Sequence, residues 1–343
     1  MDKPLRKPRI AAFEITRRCP LHCRHCRAAA DGQKEDALTT EECISILRSL
    51  AAFGHCVAIL TGGEPMARED FFEILQAGRQ MGLRMAAATC GWYLDEAAAE
   101  RLKKAELLSI SFSLDGADAQ THDAFRDSPG AFQTTMRAVQ AARKAGLDFQ
   151  INTTITKRNL EQIDRIARLA EESGAFCWNP FILVPVGRGE SIRDLLLEPQ
   201  EYESLLEHLS RMKGRLSIEL RLTCGPQFAR VCRQQNLPKA DRVPGCLAGE
   251  DFVFINWRGQ VQPCGFLEVS AGNLLQRDFA SIWRESELFS RLRNLHGYKG
   301  ACGSCAYLTV CRGCRARALA VYGDYLQQDP VCRLAQNLEE LKP

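Results

Sequence analysis

Three thiols fall within eight residues in Cys19-Pro-Leu-His-Cys23-Arg-His-Cys26. Three thiolates can hold three irons of a [4Fe–4S] cube and leave the fourth iron to an outside ligand, whereas a structural site usually fills every position. Zinc completed by His22 or His25, or plain core packing, would use the same residues. Near the other end stand Cys246, Cys264, the run Cys302-x2-Cys305-x5-Cys311-x2-Cys314, and Cys332. The chain holds 16 Cys in 343 residues, and in a reducing compartment such groups bind metal or do redox chemistry more often than they form disulfides. For the second group a zinc-stapled tail is the competing reading. Between the groups, Thr61-Gly62-Gly63-Glu64-Pro65 closes a short apolar run. Glycines there let backbone approach a ligand, and the Glu64 carboxylate or a neighbouring carbonyl can accept from an ammonium group, although a Gly-Gly pair alone reads as a turn.

The elements that must position these residues follow from periodicity. From Arg9 to about Leu222 short apolar runs alternate with amphipathic stretches, the mark of repeated βα units on a parallel sheet. The expected strands are Ile10 to Ile15, Val57 to Leu60, Arg84 to Ala88, Leu108 to Ser113, Phe149 to Ile155 and Phe181 to Val184. Thr39 with Glu42 forms a capping-box start for a helix through Phe53, stopped by Gly54. Ala131 to Ala145 places Phe132, Met136, Val139 and Ala142 on one helical face before Gly146, and Glu161 to Glu172 repeats the form. Six such units suit a partial barrel. In a parallel sheet the loops after strands gather at the carboxyl edge, where Cys19 to Cys26 and Gly62 to Glu64 then meet.

After about Cys224 the pattern changes to short strands, turns and cysteines, with a strand at Phe252 to Asn256 and a turn at Trp257-Arg258-Gly259. So little apolar periodicity needs staples. The expected division is therefore 1–222 for the barrel and 223–343 for a cysteine-rich domain. Cys43, Cys56, Cys90 and Cys177 lie in helical or strand patterns and read as small core hydrophobes.

Charged residues make up 25% and hydrophobic ones 45%, the balance of a soluble globular chain. A net charge of +3 excludes a general nucleic-acid binder. No apolar run approaches the roughly 18 residues of a membrane span, and the basic start from Met1 to Arg9 has no secretory segment, so a cytoplasmic protein is expected.

With these motifs the chain resembles the radical S-adenosylmethionine (SAM) superfamily. The resemblance runs from Ile10 to about Gly189 and includes Ser111-Phe112-Ser113-Leu114-Asp115-Gly116. It implies an α/β fold, a partial (β/α)6 barrel, with a [4Fe–4S] cluster on Cys19, Cys23 and Cys26. SAM would chelate the open iron and be cleaved to methionine and a 5′-deoxyadenosyl radical. Gly62, Gly63 and Glu64 would receive the SAM amino group, Ser113 and Arg126 its carboxylate or ribose, Asn152 its ribose and Val184 its adenine. Asp115 with Gly116 could equally be a turn, and Arg126 a surface charge. His25 departs from the aromatic residue usual before the last Cys. The later cysteines resemble the SPASM extension, with one or two auxiliary [4Fe–4S] clusters. Cys302, Cys305, Cys311 and Cys332 would hold one, while Cys246, Cys264 and Cys314 would supply three ligands to another. Its fourth ligand stays open between Cys224, Cys232 and none.

Longer stretches, among them Glu14 to Cys19, Phe149 to Thr154, Leu183 to Gly189, Val261 to Gly265 and Cys314 to Ala318, resemble the AhbD-type haem b synthases of the siroheme-dependent route, kin of NirJ and AhbC. This implies an anaerobic oxidoreductase that decarboxylates two propionates of iron-coproporphyrin III to vinyl groups, giving haem b. It would need an electron donor and an electron acceptor, with the auxiliary cluster as first acceptor. Arg188, Arg312, Arg315 and Arg317 are candidates to meet the propionates, because Arg forks match carboxylates. The alternatives are another tetrapyrrole or a ribosomal peptide. Peptide-modifying relatives usually carry a recognition module ahead of the triplet, and eighteen residues precede Cys19. An iron–sulfur carrier would explain the cysteines but not the βα units or Gly62 to Glu64.

Overall fold

Six strands follow one another in both sequence and space: β1 Ile10–Thr16, β2 Val57–Gly62, β3 Arg84–Thr89, β4 Ser109–Ser113, β5 Phe149–Ile155 and β6 Cys177–Ile182. Each pairs in parallel with the next. The computed structural model describes residues 5–32 and 35–336. The first four residues of the basic start and the last seven of the chain lie outside it.

Each crossover is a helix whose limits are set by local chemistry. In α1, Thr40–Phe53, the Thr39 hydroxyl accepts from the Glu42 N–H at 3.2 Å, and the Glu42 carboxylate accepts from the Thr39 N–H at 2.9 Å. This is the expected capping box, which satisfies two of the first turn's free donors. The other crossovers use α2 Phe71–Gln80, α3 Glu96–Lys104, α4 Ala119–Arg126, α5 Ala131–Lys144 and α6 Ile163–Glu172. In α5 the buried stripe is Thr135, Ala138, Val139 and Ala142, while the bulkier Phe132 and Met136 pack on its flank. Small residues on the inner stripe let the helix approach the sheet closely. Phe13, Phe112 and Ile151 are fully or almost fully buried between sheet and helices, each contributing roughly 1.5–3 kcal/mol.

The sixth strand begins four residues earlier than expected and ends at Ile182, not Val184. Asn179-Pro180 looks like a strand breaker in the sequence, since proline cannot donate to a ladder. In the fold Trp178, Pro180 and Ile182 face a ragged edge, where only the two residues of β7, Glu219–Leu220, and an isolated bridge at Thr223 continue the sheet. The Pro180 carbonyl still accepts from the Thr223 N–H at 2.8 Å, so the missing donor costs little.

At the opposite edge the cysteine-rich region joins the same sheet. Strand β8, Phe252–Ile255, lies parallel to β1, with Ile10 opposite Phe252 and Phe13 opposite Ile255. It turns through Trp257-Arg258-Gly259, as expected, into the antiparallel β9, Gln260–Gln262, followed by β10, Gly272–Asn273. Beyond, Trp283 is wholly buried against Phe279 and Phe289, and its indole N–H donates to the Arg6 carbonyl at 2.9 Å. Among the described residues no helix is long and apolar enough to cross a membrane.

Candidate iron–sulfur and SAM site

Cys19, Cys23 and Cys26 occupy the loop that leaves β1, at the sheet's carboxyl edge. Their thiols share an apolar patch with Leu21, Ala28 and Ala30. The neighbouring loop after β2 is docked directly on this one. The Gly63 N–H donates to the Thr16 carbonyl at 2.9 Å and the Glu64 N–H to the Arg18 carbonyl at 2.8 Å. A methyl group on Gly62 would stand 2.3 Å from the Thr16 oxygen, and one on Gly63 would stand 2.3 Å from the Arg18 oxygen and 2.9 Å from Cys19 Cβ. Both positions therefore require glycine for close approach. Gly63→Ala is expected to push the cysteine loop off its seat, weakening SAM binding at least about tenfold (about 1.4 kcal/mol). Calorimetric titration of SAM into anaerobic protein checks this, and wild-type affinity would mean that the docking does not matter.

The Glu64 side chain is fully buried and already committed. One carboxylate oxygen accepts from the Met66 N–H at 3.1 Å; the other accepts from the Thr89 hydroxyl and the Cys90 N–H, both at 2.7 Å. Burial pushes its pKa up. Glu64 thus ties the β2 loop to the end of β3, and the backbone of the Gly-Gly turn is left to face a ligand. Cys90 is a correction to the reading as an isolated core thiol, because it packs with the triplet. Its place one residue past a strand's carboxyl end was the available signal.

Two arginines hold the loop, one at the end of α4 and one in the loop after β6. The Arg126 guanidinium pairs with Asp115 at 2.6 Å and lies 3.6 Å from the Cys23 sulfur, so a buried cation sits beside this thiol and would favour its thiolate form. Asp115 in turn accepts from the Thr154 N–H at 2.6 Å, which makes it a clamp between β4, β5 and α4. Arg188 donates to the carbonyls of Cys23 at 2.9 Å and Ala30 at 2.8 Å, and its N–H to the Cys26 carbonyl at 3.0 Å. A side chain on Gly187 would strike the Arg27 oxygen at 2.2 Å. Arg188 therefore fastens the cysteine loop. His25 stacks on Phe125 with ring centroids 4.4 Å apart, filling the aromatic place, and burial keeps its pKa well below the ordinary value.

The other expected SAM contacts are placed as follows. Ser113 and Asn152 are register partners on β4 and β5, both half-buried at the same edge. Val184 is buried with Leu267, Leu288 and Cys314, at the seam between barrel and cysteine-rich region. Arg126 Nε and Arg188 Nη2 are buried donors without a hydrogen-bond partner among the described residues. Three grouped thiols, a glycine cradle and spare cationic donors fit a negatively charged iron–sulfur cluster and a zwitterionic ligand.

The later thiols fall into two sets. Cys302, Cys305, Cys311 and Cys332 line one cavity with Gln227 and Arg230. N–H groups point at their sulfurs: Tyr307 to Cys305 at 3.4 Å, Gly313 to Cys311 at 3.5 Å and Arg315 Nη2 to Cys302 at 3.6 Å. Such donors stabilise thiolate ligands and tune cluster potentials. Cys246, Cys264 and Cys314 form the second set, interleaved with the first because the Cys246 N–H donates to the Cys311 carbonyl at 3.0 Å. Among the described residues no three His, Cys, Asp or Glu side chains converge closely enough to hold a single metal ion.

The reading of Arg312, Arg315 and Arg317 as propionate partners needs correction. Arg317 makes a two-pronged pair with Asp329 at 2.8 and 3.0 Å, both side chains being buried. Arg315 is 1% exposed and donates to the carbonyls of Tyr325 at 3.0 Å and Gln327 at 2.6 Å. Arg312 pairs with Glu250. Freeing Arg317 for a substrate would strand Asp329 as a buried charge, at a cost of about 3–5 kcal/mol. These cations sit among the thiols, where they would offset the charge of a bound cluster.

Residues 13–170 match the radical SAM superfamily and residues 246–315 match the SPASM iron–sulfur cluster-binding domain. The AdoMet-dependent heme synthase of Methanosarcina barkeri is 42% identical over 337 residues, covering 95% of this chain and 96% of that protein. The AdoMet-dependent heme synthase of Nitratidesulfovibrio vulgaris is 39% identical, covering 94% and 92%. In fold, the chain is similar to Streptococcus suis SuiB bound to S-adenosylmethionine, with a TM-score of 0.77 at 19% identity over 95% of this chain and 77% of that one.

Proposed function

Because this chain belongs to the radical SAM superfamily and to its AdoMet-dependent heme synthases, we propose that it converts iron-coproporphyrin III to haem b. The observation that carries this reading is likeness to a heme synthase along almost the whole chain, cysteine-rich region included. Each of two propionate side chains would lose CO2, one hydrogen atom and one electron, leaving a vinyl group. When bound, the cluster and SAM supply hydrogen-atom abstraction from an unactivated carbon, which no side-chain base could deprotonate at neutral pH.

The chain's own residues set the stage for that chemistry. Cys19, Cys23 and Cys26 hold the SAM-binding cluster, Arg126 balances its charge and Arg188 fixes its loop. The backbone at Gly62 and Gly63 accepts from the SAM amino group, with Glu64 as positioning residue. Ser113, Asn152 and Val184 complete the pocket towards ribose and adenine. Two auxiliary clusters serve the outgoing electron, one on Cys302, Cys305, Cys311 and Cys332, the other on Cys246, Cys264 and Cys314. An external electron donor and acceptor are required.

The test is an anaerobic incubation with iron-coproporphyrin III, SAM and a reductant, followed by mass analysis. The expected product has lost one formic-acid equivalent at each of two propionates. Cleavage of SAM with an unchanged porphyrin would instead favour another tetrapyrrole or a peptide substrate.

A further inference from the structure

Cys224 is the last residue before the chain leaves the barrel. Thr223 is still bonded to β6, its N–H donating to Pro180 and its carbonyl accepting from the Ile182 N–H at 3.1 Å. At Cys224 the backbone turns left-handed, with φ at +57°. Glycine enters that region freely and other residues rarely do, yet the glycine here is the next residue, Gly225. The turn is held by Arg317, whose Nη1 donates to the Cys224 carbonyl at 2.6 Å while the same guanidinium grips Asp329. Asp329 also accepts from the Cys314 N–H at 2.7 Å. One buried ion pair thus fixes the backbones of Cys224 and Cys314 together.

Their side chains meet. Cys224 and Cys314 pack in the apolar group that contains Cys264 and Val184. Cys264 packs with Cys314 in that group, and the Cys246 N–H is bonded to the neighbouring Cys311 carbonyl at 3.0 Å. Three thiols gathered in one group, two of them with backbones fixed by the same buried ion pair, suit cluster ligation better than scattered core packing. Cys232, the other free candidate, is wholly buried in the helix Phe228–Gln234 within the main core.

Resting on the iron–sulfur reading of this region, we propose that Cys224 is the fourth protein ligand of the second auxiliary cluster, joining Cys246, Cys264 and Cys314. The cluster is then fully thiolate-bound, with no iron open to substrate, and it sits against the carboxyl end of β6, where the barrel meets the cysteine-rich region. One ligand comes from the barrel's own last strand pairing, outside the stretch matched as the SPASM domain.

Iron analysis and EPR on anaerobically reconstituted full-length protein test this. Wild type should carry about twelve irons in three clusters, and Cys224→Ala about eleven or eight, with a three-iron signal or the loss of one cluster. Cys232→Ala should match wild type. Cys224→Asp, which offers an oxygen ligand, should keep its iron but show altered g-values; it also serves if the alanine variant does not fold. Wild-type iron and spectra in Cys224→Ala, or unchanged g-values in Cys224→Asp, would overturn the assignment. A wild type with no auxiliary iron would instead overturn the iron–sulfur reading beneath it.

Discussion

Replacing Cys19, Cys23 or Cys26 by Ala is expected to bring SAM cleavage below detection and to lower iron from about twelve to about eight per chain. With one thiolate gone, two irons of the cube lack a protein ligand, and the open iron is no longer uniquely defined for SAM. The loop itself should survive, because its backbone is held by Gly63, Glu64 and Arg188 and not by the sulfurs. Far-UV circular dichroism should therefore match wild type while 5′-deoxyadenosine disappears from the chromatogram. Cleavage persisting in all three variants would remove the cluster from this loop.

The second large effect lies at the other end of the chain. Changing Cys302, Cys305, Cys311 or Cys332 to Ala should leave 5′-deoxyadenosine formation within about tenfold of wild type, a barrier change of about 1.4 kcal/mol, and stop vinyl formation. Abstraction needs only the N-terminal cluster and SAM, but the alkene forms only when an electron leaves. The uncoupling is the diagnostic: SAM consumed without loss of porphyrin mass. Equal loss of both activities would point to a structural role for this cluster, and normal turnover would remove it from the electron's route.

Much of the barrel was legible because its signals are local. The Thr39–Glu42 box, the strand at Phe149–Ile155 and the thiol spacing all lie within a few residues of one another. What escaped depends on distant partners. Pro180 looks like a breaker until the ragged edge beside it is seen. Arg188 and Arg315 looked available for carboxylates, but their acceptors are carbonyls on remote loops, and a carbonyl leaves no trace in residue type. Cys90 lacked the short spacing that makes thiols conspicuous, and only the fold carries it to the triplet more than 60 residues away. The Glu64 carboxylate was recognisable as important, but its duty towards Thr89 and Cys90 was not.

The pairing of β8 with β1 makes the two halves of the chain mutually dependent. Severed at residue 222, the barrel would bare the backbone donors and acceptors from Ile10 to Phe13, an invitation to intermolecular association. The strand so unprotected runs straight into Cys19. Damage to the carboxyl-terminal iron–sulfur region that loosened β8 would thus reach the SAM-binding centre through the main chain, and truncation of this enzyme is safest judged by the integrity of that one seam.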